Sequence, residues 1–267
     1  MKIILSFSLL LFSLLNVAQT KRDFLLKDSI IKPINSKQLL DKRVYDKTYF
    51  LLKNIDDEFG YEKDIHLKFL EYSYFHNELH DFKSDMTILV KEYGLMLDYL
   101  TTNENYYNDL INGKLSNWFK KMYLKNHLIW VENNFDKLND IRALNEINIK
   151  DQTLAKLSNV MLDVNLNQSD SIKIYTVIQR LNAENLQLIY KISEKNNCFI
   201  LSKKFPVIQN NLNSAIIHNF QMNLDDSWNL LFPYIKTAYK NNEIDNVIFQ
   251  NYDFYRYLKD GYQEFNS

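Results

Sequence analysis

Three groups of residues in this chain have side chains suited to chemistry. The first lies toward the C-terminus: His218, and around it in sequence Asp253, Arg256 and Gln263. Histidine has the unperturbed pKa nearest neutrality, and a carboxylate such as Asp253 would fix its tautomer and raise its basicity. Arg256 and Gln263 stand among Tyr252, Phe254, Tyr255, Tyr257, Tyr262 and Phe265, a set that suits either an aromatic-walled pocket with polar handles or an aromatic helix docked on a core. The second is His76-Asn77-Glu78-Leu79-His80. On one helix, residues four apart share a face, so two imidazoles there could reach one metal. It is not the zinc-protease motif, because Asn77 follows the first histidine where a glutamate is needed, and His66 stands about 21 Å before His80 on a continuous helix. A helix offers many chance pairs at this spacing, so the reading is two polar-face histidines and no metal site. The third is Cys198, the only cysteine. Alone it forms no intramolecular disulfide, and the type is more often a small buried hydrophobe than a nucleophile, although Lys195, Lys203 and Lys204 are close in sequence.

Helices must position these groups. Four glycines and three prolines in 267 residues leave little of the turn chemistry that sheets require, so the fold expected is all-α, a helical bundle or array with a C-terminal helical domain. Ser36 reads as an N-cap three residues after Pro33, opening a helix through Leu40, Val44, Leu51 and Ile55 that Gly60 ends. Apolar spacing then runs from Ile65 through Phe75, Phe82 and Leu89 to Leu100, with Ser84 as a possible new cap. Trp118, Met122, Leu128 and Val131 predict a helix to about Asn133, and 145–148 separates it from Leu154, Leu157 and Met161. The polar run from Asn165 to Ser169 is the best linker, dividing a helical N-terminal region, 20–165, from a C-terminal domain, 166–267. There, a helix from Pro206 to Met222 puts Leu212, Ala215, Ile216 and Phe220 on one stripe with His218 at its margin. Pro233 either kinks the following helix or starts a second one.

Residues 1–19 read as a secretory leader: Lys2, an apolar run from Ile3 to Leu15, and the small-residue cleavage region Val17-Ala18-Gln19. The run is about 13 residues, short of the roughly 20 a spanning helix needs, and no later segment is apolar enough to cross a bilayer. An exported protein, periplasmic or extracellular, is expected. A net charge of -1 and a pI near 6.5 remove the electrostatic case for nucleic acid or an anionic membrane as the main partner. No cofactor is indicated.

The last third has a recognisable order. A helical run from Asn182 ends at Glu194-Lys195-Asn196-Asn197 before Cys198-Phe199. After it come Ala215-Ile216-Ile217-His218, Leu231-Phe232-Pro233, Asn242-Glu243-Ile244, Tyr252-Asp253 and Gly261-Tyr262-Gln263-Glu264-Phe265-Asn266-Ser267. This order, about 182–267, resembles a family of mostly exported bacterial proteins known only as a domain of unknown function. Its members show a helix ending in a Gly-aromatic turn, an Ile-x-His signature, a Leu-Pro helix ending in Gly-Glu-Ile, an Asp-Arg pair and a terminal Gln-x-Tyr-Gly-Thr. His218, Asp253 and Gln263 match. Asn197 and Asn242 stand where the pattern has glycines, and Phe254 follows Asp253 in place of arginine. Asparagine is the commonest non-glycine residue at φ > 0, so the turns are expected to survive the exchange. The resemblance implies one groove holding His218, Asp253 and Gln263, with Arg256 beside them. The leading functional expectation is a module that binds a ligand or protein partner; the alternative is a hydrolase-like enzyme using His218 and Asp253.

Overall fold

The computed structural model of the protein describes residues 20–101, 104–164, 166–207 and 212–265; the leader-like residues 1–19 and Asn165 of the expected linker lie outside them. The described residues are all-α, with no strand among them. Residues 21–141 and 203–207 form one compact unit, and 142–202 with 212–265 form another. The division falls near residue 141, inside one helix, whereas sequence polarity pointed to 165–169.

The first unit opens with α1 (Lys21–Leu25), a π-helical turn (Leu26–Ile31) and α2 (Lys32–Asn35). Ser36 is not an N-cap: its hydroxyl donates back to the Lys32 carbonyl at 2.9 Å and closes α2. The next helix, α3 (Lys42–Phe59), is capped by Asp41, which accepts from the amides of Arg43 and Val44 at 2.9 and 3.2 Å. Its buried face is Tyr45, Thr48, Tyr49, Leu52 and Ile55; Leu40, expected on this stripe, precedes the helix in a 3-10 turn and is exposed, and α3 stops at Gly60 with φ 86°. Then follow α4 (Lys63–Phe75) and α5 (Leu79–Tyr93). Between them Asn77 takes φ 59°, and the expected continuous helix through His76 and His80 is broken. Ser84 sits within α5 and caps nothing. Short α6 (Leu97–Thr101) and α7 (Glu104–Ile111) lead to α8 (Ser116–Asn134), close to its expected limits. Residues 203–207 are held to this unit by Lys63, whose Nζ donates to the carbonyls of Phe205 (3.0 Å) and Val207 (2.6 Å), and by Trp130, whose Nε1 donates to that of Pro206 at 2.8 Å.

In the second unit the chain continues along α9 (Leu138–Asp163), which runs unbroken through 145–148, where a separation was expected. Asn167 caps α10 (Gln168–Asn196) by accepting from the Asp170 amide at 2.9 Å. Asn197 ends it at φ 48°, ψ 37°, the left-handed conformation anticipated where the family pattern has glycine. Among the described residues the next helix, α11, begins at Leu212 rather than at Pro206, and runs to Lys240. Its backbone leaves helical φ/ψ at Asn223 (φ -137°, ψ 49°), and Pro233 lies inside the helix rather than starting a second one. Gln179 of α10 steadies that break, donating Nε2 to the Met222 carbonyl and to Asn223 Oδ1, both at 3.1 Å. Asn242 makes the turn at φ 56° into α12 (Val247–Asp260). The core here is aromatic: Trp228 stacks on Tyr252 with centroids 3.9 Å apart, and Phe220, Phe249 and Phe265 surround the pair.

Gly94 ends α5 at φ +60°, and a Cβ there would lie 2.3 Å from Cε2 of Trp130. Gly261 ends α12 at φ +76° with nothing within 4 Å of such a Cβ. Gly94→Ala is therefore expected to cost roughly 2–4 kcal/mol, strain and overpacking together, and Gly261→Ala about 1 kcal/mol from backbone strain alone. Urea denaturation of the two variants checks the difference; equal losses would place Trp130 away from Gly94.

Candidate functional site

His218 lies on the first half of α11, where 212, 215, 216, 219 and 220 are buried and 218 falls at the margin of that stripe. Its Nδ1 is 2.7 Å from Oδ1 of Asp151, which comes from α9 and is fully buried, while 30% of the imidazole side chain stays exposed. The acid beside His218 is thus Asp151, not Asp253. The other carboxylate oxygen of Asp151 accepts from the Ser214 hydroxyl at 3.0 Å, one helical turn before His218. The hydrogen bond to Asp151 holds the imidazole above the usual histidine pKa, outweighing the effect of burial. In the order Ser214, Asp151, His218 the carboxylate is central. A serine nucleophile needs the imidazole in the middle, taking the hydroxyl proton, so this arrangement polarises His218 without activating Ser214.

The other three expected groove residues have structural employment or lie in the open. Asp253 is buried, and its Oδ1 accepts from the backbone amides of Glu264 (2.9 Å) and Phe265 (3.0 Å). It pins the tail so that Phe265 reaches Trp228 and Phe249. Arg256 donates to Asp260 at 2.6 Å and to the Tyr252 hydroxyl at 2.6 Å, and pairs with Asp225 at 2.8 Å. Of the two readings of this aromatic stretch, the docked helix is the one observed. Gln263 is exposed in the segment after Gly261.

The His76–His80 pair does not share a helix face. His76 caps α4 and its Nε2 lies 2.7 Å from the Leu39 carbonyl, while His80 is 95% exposed on the first turn of α5. Among the described residues no three His, Cys, Asp or Glu side chains are grouped to hold a metal ion. Cys198 is half-buried in the turn after α10.

The densest polar cluster is one that helical spacing did not single out. His66, fully buried on α4, has Nε2 2.7 Å from Asp56 Oδ2, and Nδ1 2.9 Å from Asp85 Oδ2 without the alignment of a hydrogen bond. Asp85, also fully buried, accepts from the hydroxyls of Tyr49 (3.0 Å) and Tyr61 (3.4 Å), and the Tyr61 ring stacks on His66 at 4.1 Å. Burial alone would lower the His66 pKa, but the two carboxylates outweigh it and hold it above the ordinary value. Next to this group Arg22 grips Glu62 with two bonds of 2.7 Å, and Lys203 reaches Glu62 at 3.0 Å. A signal existed in the sequence, an i,i+10 Asp–His spacing across Gly60, but it has no helical periodicity to draw attention to it.

Both histidines titrate above the ordinary 6.5 when folded. The stabilisation from their carboxylates is therefore complete below about pH 6.5 and is lost as pH rises through the raised folded values. An NMR titration should place the His218 midpoint above 6.5 in the wild type and return it toward or below 6.5 in Asp151→Asn; an unmoved midpoint would refute the pairing. His218→Ala leaves the buried Asp151 carboxylate short of a partner and is expected to cost about 1–3 kcal/mol in urea unfolding. Comparison with protein-family models, with curated proteins and with solved structures finds no match.

Proposed function

We propose that this chain is an exported binding module whose working surface lies in the unit formed by 142–202 and 212–265, with His218 at its edge. The observation that carries the reading is the order Ser214, Asp151, His218: an oriented imidazole that is 30% exposed and backed by a fully buried acid, placed to exchange hydrogen bonds with a partner rather than to drive a serine. Export is supported by the leader pattern of the first nineteen residues. It is also consistent that no described helix is long and apolar enough to cross a membrane. The outer face of α12 leaves Val247, Phe254, Tyr257 and Leu258 exposed, which suits contact with a partner better than a lone soluble existence. The hydrolase-like alternative would run through His218 and Asp151 as a base acting on water, since Asp253 is engaged with the tail.

Two measurements test the proposal, the first its export and the second its choice between binding module and enzyme. Protein recovered from the producing cell should begin near Gln19 or Thr20, and an intact Met1 would refute export. Chromogenic ester, peptide and glycoside substrates should show no turnover above that of His218→Gln; turnover that disappears in His218→Gln while the fold is kept would make the protein an enzyme.

A further inference from the structure

A cavity of about 450 Å³ lies in the first unit, between the N-terminal half of α3 and the chain that precedes it. The volume is within the range of small-molecule sites, roughly 300–1,000 Å³. Its floor is mainly apolar, made by Pro33, Val44 and Leu51 with the buried Thr48 beside them. Its rim is polar. Arg43 and Lys47, both exposed, come from α3, while Asp28 and Ser29 come from the π-helical turn and Gln38 from the turn before α3. The π-helical turn is a second pointer, because its wider backbone loop is rare and recurs at functional sites.

The cations on this rim differ from the others of α3. Lys42 pairs with Asp46 and Glu78, and Lys53 with Asp85. Arg43 and Lys47 have no ion pair or side-chain hydrogen bond among the described residues. Four residues apart on one helix, they repel each other, a cost that an anion between them would remove. Asp28 does not supply it: it lines the same cavity but stands beyond ion-pair distance of both. Because both cations are open to solvent, they can close on an oxyanion, Arg43 with its planar fork and Lys47 as a point charge. Ser29 and Gln38 can each donate and accept, and Asp28 accepts, a set that suits hydroxyl groups. A fatty carboxylate would leave those three unused. Two positive charges and one negative on the rim balance a single negative charge on what enters.

We propose that this cavity binds a hydroxylated monoanion of the sugar-acid class, with its carboxylate between Arg43 and Lys47 and its hydroxyls on Asp28, Ser29 and Gln38. The site is separate from His218, which belongs to the other unit, and an enzyme at His218 would leave it standing.

The test uses the mature chain in low-salt, mildly acidic buffer and four probes. Glucuronate, glucose and protonated glucosamine offer one kind of ring with a negative, zero or positive charge, and hexanoate is an anion without hydroxyls. Glucuronate should bind saturably in the low-millimolar range or tighter and should shift the amide resonances of Ser29, Arg43 and Lys47. Glucose and hexanoate should bind about tenfold more weakly, and glucosamine weakest of all. Arg43→Gln and Lys47→Gln should each lose about tenfold in affinity for glucuronate and leave that for glucose unchanged. Since neither side chain has a partner to lose, both variants should be at least as stable as the wild type in urea. Val44→Trp fills the cavity and should abolish binding of glucuronate; should it not fold, the two glutamine variants decide alone. The proposal is overturned if glucosamine or hexanoate binds as well as glucuronate, if no probe saturates, or if a folded Val44→Trp or both glutamine variants bind like the wild type. It is also overturned if the glutamine variants are strongly destabilised, because the cations would then have structural partners.

Discussion

With four glycines in 267 residues, this chain has to end most of its helices without them, and that constraint shapes the rest. The left-handed conformation that terminates a helix is open to asparagine at a cost of about 1 kcal/mol, and the chain uses it at Asn77, Asn197 and Asn242. Each of these turns sets which helix the neighbouring side chains belong to. Asn77 sets His76 and His80 on separate helices. Asn197 and Asn242 bound the pair of long helices whose packing brings His218 and the aromatic core of α12 into one unit. Where even this device is not used, as at Asn223, a neighbouring helix supplies the cap through Gln179.

The second organising feature is the amount of charge taken inside. In the first unit Arg22, Glu62, Asp56, His66 and Asp85 are linked through short contacts. Such groups are expensive to bury and expensive to break: removing one member of a buried pair commonly costs about 3–5 kcal/mol. His66 lies within 3 Å of both carboxylates only where α3, α4 and α5 meet in this register, and losing the register would leave buried charge unpaired.

What could be read in advance divides along physical lines. Helical class, the limits of α8, the stop at Gly60 and the asparagine turns at 197 and 242 are local properties, set by periodicity and backbone conformation, and they were legible. The site was legible only in part. His218 was visible as a polar residue at the margin of an apolar stripe, but its partner was not: Asp151 is 67 residues away in the middle of a long helix, and no spacing rule relates positions joined only by tertiary packing. Asp253 was visible as an acid near an aromatic tail, yet a carboxylate that binds ligand and one that caps a chain end look alike until the tail is placed.

The five residues 203–207 have a consequence for how the gene can be divided. They belong to the first unit through Lys63 and Trp130, while the chain on either side of them belongs to the second. Neither unit is therefore a contiguous stretch of sequence, and no single cut releases one of them whole. A fragment encoding 166–267 would lack Asp151 and would carry Phe205 and Val207, 0% and 7% exposed in the intact chain, stripped of the side chains that hold them. Recombination or shuffling at the apparent linker would break both units at once, so the two are bound to be inherited, expressed and lost together.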